Sequence, residues 1–217
     1  MSEITLESQL FEILENEEMP EHIKLAKVEM LVNLGVDINA KNEGETALMK
    51  ASQKGHKEIV EILLENGVDV NVKNNNGVTA LGYASFNGYK DVVGLLLKKG
   101  ANPEIKDNNG NTELITASMH GRKEIVAILL ENGADVNAKG YSDWTALMHA
   151  SNYGHKDVVE LLIEKGADIS AESTGGWTAM KVSNNEETRK VIINAIKEKN
   201  KKETSTFIGT IKSWFER

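Results

Sequence analysis

Cysteine is absent from the 217 residues, which excludes disulfides, thiolate nucleophiles and cysteine-ligated zinc and suits a reducing compartment. A basic excess is missing too. The 33 acidic and 25 basic residues leave a net charge of −8, the wrong sign for a surface that must displace counterions from a phosphate backbone. Nucleic acid is therefore not an expected partner. No apolar run approaches the length of a membrane span, and Met1-Ser2-Glu3-Ile4 lacks the basic and apolar segments of a secretory leader. These readings predict a soluble, cytoplasmic protein without a membrane partner. Phosphate-cradling glycine loops and metalloprotease helices have no counterpart in the chain. Aromatic residues are few, with 4 Phe, 4 Tyr and 3 Trp, so the places they occupy are informative.

What the chain does contain is a repeat. The frame Thr79-Ala80-Leu81-Gly82-Tyr83-Ala84-Ser85 returns around Thr46, Thr112, Thr145 and, degraded, Thr178, each 33 residues from the last. Gly67, Gly100, Gly133 and Gly166 keep step with it, each behind an aliphatic triplet such as Ile62-Leu63-Leu64. A fixed period of this length marks stacked units, none of which can bury its apolar face alone. Each unit has one grammar. A tip glycine (Gly44, Gly77, Gly110, Gly176) predicts a turn, and the threonine after it predicts a cap for a short first helix kept thin by Ala and Ser. Turns such as Gly55-His56 and Gly154-His155 lead to a longer second helix, which Gly67 and its equivalents close. Lys41 to Gly44 is one residue shorter than Lys73 to Gly77, so the first tip is predicted to be tighter. The displaced Gly140 predicts a different turn in the fourth tip, and Pro103 removes a backbone donor.

The period, the Thr-x-Leu frame, the run Gly55-His56-Lys57-Glu58-Ile59-Val60 and the run from Gly133 to Ala138 together resemble the ankyrin repeat family over about residues 25 to 197. Where the family usually has Pro this chain has Ala or, once, Glu; where it usually has His, the chain has Met49, Gly82, Ile115, Met148 or Lys181. A Thr to His hydrogen bond typical of the family is thereby lost. The resemblance implies an all-α stack of helical pairs with short β-hairpin tips. Residues 1–40 form an N-terminal capping unit on this reading, with Lys24, Lys27 and Glu29 on its outer face. Residues 41–172 form four ankyrin-like repeats, 173–200 a C-terminal capping repeat, and 201–217 a charged linker and an amphipathic helix. That helix would start at a Thr204 or Ser205 cap and carry Phe207, Ile208, Ile211, Trp214 and Phe215 on one face. It could cover the last repeat, reach a partner or a second molecule, or touch a membrane surface.

Residues that the repeat does not require remain as site candidates. Ser52, Ser85, Ser118 and Ser151 are periodic and so structural, while His56 and His155 sit in turns where local hydrogen bonding explains them. No catalytic, metal or cofactor site is expected. The resemblance implies binding through the hairpin tips and the exposed side of the first helices. In those places stand Tyr83, Phe86, Met119, His120, Tyr141, Trp144, His149, Tyr153 and Trp177. Tyr and Trp give large contact area at little entropic cost and dominate interface hot spots. The expected function is thus a monomeric, non-enzymatic module that holds a protein or peptide on its concave face, with Trp144→Ala costing binding and little stability. The alternative is a regulatory or inhibitory subunit whose C-terminal helix makes the key contact.

Overall fold

The computed structural model describes residues 5–215, and the side chains of these except at 203 and 207–215. The chain begins with α1 (Leu6–Glu15) and α2 (Glu21–Asn33) and continues through a hairpin of β1 (Lys41–Asn42) and β2 (Glu45–Thr46). Helical pairs follow: α3 (Ala47–Lys54) with α4 (Lys57–Glu65), α5 (Ala80–Asn87) with α6 (Lys90–Lys98), and α7 (Glu113–Met119) with α8 (Lys123–Glu131). Then come α9 (Ala146–Tyr153) with α10 (Lys156–Glu164), and α11 (Ala179–Val182) with α12 (Glu186–Phe215). Each first helix packs on the first helix of the next repeat, and each second helix on the next second helix, so two parallel rows share one core.

The five frame threonines cap their helices as the sequence predicts. Thr46, Thr79, Thr112, Thr145 and Thr178 accept hydrogen bonds through their hydroxyls from the backbone N–H three residues on. Gly67, Gly100, Gly133 and Gly166 leave the second helices at φ of +81° to +91°, a left-handed conformation that glycine alone adopts without a Cβ penalty. Leu48, Leu81, Leu114 and Leu147 of the first-helix row share one buried cluster with Leu63, Leu96, Leu129 and Leu162 of the second row, all at most 1% exposed. Each contributes on the order of 2 to 3 kcal/mol by burial.

Side-chain ladders with the period of the repeat tie neighbouring units. The Nζ of Lys41, Lys73 and Lys106 donate to the carbonyls of Lys73, Lys106 and Lys139 at 3.0, 2.7 and 2.8 Å. Asn39, Asn71 and Asn137 accept from the backbone N–H of Asp69, Asn102 and Asp168, and in the irregular repeat Glu104 takes that role toward Asp135. The residue after Pro103 therefore conserves a contact in a place where the local sequence departs from its neighbours.

The first tip is the tightest. Lys41 pairs with Thr46 and Asn42 with Glu45 around a two-residue turn, Glu43-Gly44, with φ of +53° and +86°. The fourth tip differs as Gly140 foretells: Tyr141–Asp143 form a 3-10 turn in which Ser142 and Asp143 have φ of +53° and +63°. Two expectations need correction. Lys24 is not on the outer face; it is 5% exposed, its Nζ 3.4 Å from His56 Nε2 of the first repeat. Nor does a cap at Thr204 or Ser205 start a separate helix, because α12 runs unbroken through the charged segment. Lys and Glu are good helix formers and no Gly or Pro interrupts them before Gly209, so the helix of the last repeat carries on. The side chains of Phe207, Ile208, Ile211, Trp214 and Phe215 lie outside the described residues.

Candidate functional site

Two adjoining clefts run along the side formed by the hairpin tips and the first helices. The first, of about 390 Å³, lies between the second and third repeats and is lined by Tyr83, Phe86, Asp107, Glu113, Met119 and His120, among others. The second, of about 410 Å³, is lined by Asn111, Tyr141, Trp144, His149, Asn152 and Tyr153, again among others. Asn109 and Asn111 border both. Eight of the nine residues singled out from the sequence thus line one continuous surface; Trp177 lines neither cleft and stands 51% exposed on the fifth tip.

Those side chains are not equally free. Phe86, Tyr141 and Tyr153 are exposed, with the Phe86 ring edge-on to His120 at a centroid distance of 4.7 Å. Tyr83 is half-buried. Its hydroxyl donates to Glu45 Oε1 at 2.7 Å, and Asn74 Nδ2 donates to both partners, so Tyr83 links the first and second repeats. Burial, with the Glu45 carboxylate, pushes its hydroxyl up to about 12. Trp144 is also half-buried: it packs against the core and lies 5.0 Å from the His149 ring. The expectation that its truncation spares stability is therefore corrected. Neither ring nitrogen of His149 has a partner, and burial holds its pKa below the ordinary value.

The turn histidines act between repeats rather than locally. His155 Nε2 lies 2.9 Å from the Met119 carbonyl, and His56 Nδ1 lies 3.0 Å from Glu21. Among the described residues, no three His, Asp or Glu side chains come together as metal ligands.

Sequence reasoning missed the most unusual side chain on this surface. Glu113 stands where Ala47, Ala80, Ala146 and Ala179 stand in the other repeats, and it is 6% exposed. Its Oε1 accepts from the Thr79 hydroxyl at 3.0 Å, while Oε2 has no partner. Burial first, then the charges of Asp107 and Glu104, push its carboxyl up to about 8. The space beside it comes from Gly82, which occupies the place held by the buried Met49 and Met148. A Cβ built on Gly82 would lie 3.5 Å from Glu113 Oε1. Both departures can be seen when the repeats are aligned, but that they face one another cannot.

A two-row helical solenoid with a capped first helix, a glycine-closed second helix and a line of clefts along its tips defines a stack of helical-pair repeats. The chain belongs to the ankyrin repeat family: the family profile for three ankyrin-repeat copies matches residues 21–107, 66–140, 99–173 and 139–204. Ankyrin repeats are generally protein–protein interaction modules. The chain is also similar to the "Ankyrin repeat and KH domain-containing protein mask-1" of Caenorhabditis elegans, 42% identical over 48 residues. That match spans 22% of this chain and 2% of the relative. Among the described residues, no helix is long and apolar enough to cross a membrane.

Proposed function

We propose that this chain is a non-enzymatic binding module that holds a protein or peptide partner along the two clefts between the second and fourth repeats. The observation that carries this reading is the gathering of Tyr83, Phe86, Met119, His120, Tyr141, Trp144, His149 and Tyr153 on one surface of a scaffold whose frame requires none of them. Phe86, Tyr141 and Tyr153 supply exposed anchors, and the half-buried Tyr83 and Trp144 hold the walls in place. The chain acts as a monomer, and the absence of cysteine supports a cytoplasmic setting. Affinity capture from the source cell tests the reading, comparing wild type with a Phe86→Ala, Tyr141→Ala, Tyr153→Ala variant. A protein retained by the first and lost by the second is expected. Equal retention by both would refute the assignment.

One observation favours a second reading, in which the chain regulates or inhibits a partner through its C-terminal helix. From Lys197 to Ser205, every described side chain of α12 is exposed. Deleting residues 204–217 would abolish capture on this reading and leave it intact on the first.

A further inference from the structure

We propose that the cleft between the second and third repeats is a socket for one lysine or arginine side chain of an extended peptide partner, its cation meeting the Glu113 carboxyl and its stem lying against Tyr83 and Phe86. The inference rests on the binding reading above and names the chemistry its partner must carry.

Two departures from the repeat build the socket, although Glu113 also accepts from Thr79 and a Cβ on Gly82 would crowd Val78 Cγ1 at 3.1 Å. Glu113 replaces an alanine that the frame accommodates at four other places, and it brings a buried oxygen that nothing in the fold pairs. An unpaired buried carboxylate is costly unless a partner satisfies it. Gly82 replaces a buried methionine. Unlike the tip and closing glycines it does not have positive φ, so the backbone does not require it, and in a helix it is unfavourable relative to alanine. Its effect is to leave open the volume beside Glu113.

The surroundings select the sign of the ligand. Asp107 and Glu113 both line the cleft and no lysine or arginine does, so an anion would be repelled. Tyr83, Phe86 and Met119 supply aromatic and apolar surface for the methylene stem, and a ring face attracts the cation itself. A bare metal ion would need more oxygen donors than these carboxylates provide.

A pH signature follows. With its carboxyl at about 8, Glu113 is largely protonated in the empty cleft at neutral pH, and a bound cation must displace that proton. The other titratable groups that line the cleft or bear on Glu113 are Tyr83 on α5, Asp107 and Glu104 before α7, and His120 at the end of α7.

Four pools of nonapeptides, random except for a central Arg, Lys, Gln or Leu, would be titrated against the full chain by fluorescence polarisation. The Arg and Lys pools are expected to bind at least tenfold more tightly than the Gln and Leu pools, with affinity for the Arg pool rising on the order of tenfold from pH 6.5 to 8. Glu113→Gln keeps the shape and should remove both the preference and most of the pH dependence. Gly82→Met restores the methionine of the first and fourth repeats and should block the Arg pool by filling the cleft. Far-ultraviolet circular dichroism of both variants confirms folding. Pools that bind equally well, lose binding in the Phe86→Ala, Tyr141→Ala, Tyr153→Ala variant and ignore Glu113→Gln would overturn the socket while leaving the binding surface standing. Binding by no pool, or binding only by a second copy of this chain, would overturn the socket as well.

Discussion

Replacing Glu113 with alanine restores the residue that four other repeats carry at the same place, and it removes a buried carboxyl from the third repeat. In the folded chain this group titrates at about 8, against an ordinary 4.5. The folded state therefore binds the proton more tightly than the unfolded one. Stability is fully present below about pH 4.5 and is lost progressively as pH rises toward 8. At about 1.4 kcal/mol per pH unit, the loss is on the order of 3 kcal/mol at pH 7 and 4 to 5 kcal/mol above pH 8. The substitution also leaves the Thr79 hydroxyl without this acceptor, a cost of about 1 kcal/mol that does not vary with pH. Glu113→Ala should thus be neutral or slightly destabilising at pH 5 and clearly stabilising at pH 8.5. His56 and His149, both held low chiefly by burial, contribute the opposite slope as pH falls through 6.5, but they are present in both proteins and cancel in the difference. Urea midpoints measured at pH 5, 7 and 8.5 give that difference directly. A difference that stayed flat across the range would refute the buried-carboxyl argument.

Other substitutions test the scaffold and the surface separately. Leu96→Ala empties a fully buried site and should cost about 2 to 5 kcal/mol in urea denaturation. Thr145→Ala removes the hydroxyl that accepts from the Met148 N–H and should cost about 1 kcal/mol by the same assay. Tyr141→Ala, at a residue 73% exposed, should change stability by less than about 0.5 kcal/mol. Trp144→Ala should lower the melting temperature measurably, because its ring packs on the core and beside His149.

The fold was legible because periodicity makes every unit a witness to the others. Five threonines at one interval predict five caps, and the glycines after the second helices predict left-handed exits; both depend only on local backbone chemistry, which a sequence carries in full. The tighter first tip and the altered fourth tip were legible for the same reason, since each is a change in the number or place of turn residues. Contacts between units were not. The lysine ladder from Lys41 to Lys139 and the substitution of Glu104 for an asparagine join residues about one period apart, and no local pattern reveals that they meet. Lys24 looked solvated because lysine usually is, yet it sits over His56 of the next unit. The candidate surface was half legible. Residues in places the frame leaves open, five of them aromatic, marked eight of its members, whereas Glu113 and Gly82 were invisible as a pair, and Trp144 was taken for a free anchor because the sequence does not show its ring lying against the core and His149.

The central claim is that the first-helix and hairpin side of the second to fourth repeats is where the partner sits. Site-specific photo-crosslinking tests it most directly, with a benzophenone amino acid placed in turn at Phe86, at Tyr141, at Glu61 on α4 and at Lys98 on α6, all exposed positions, and irradiated in lysate of the source cell. The same partner band from Phe86 and Tyr141, with none from Glu61 or Lys98, is the expected result. A band from the second-helix positions and none from Phe86 or Tyr141 would contradict the account.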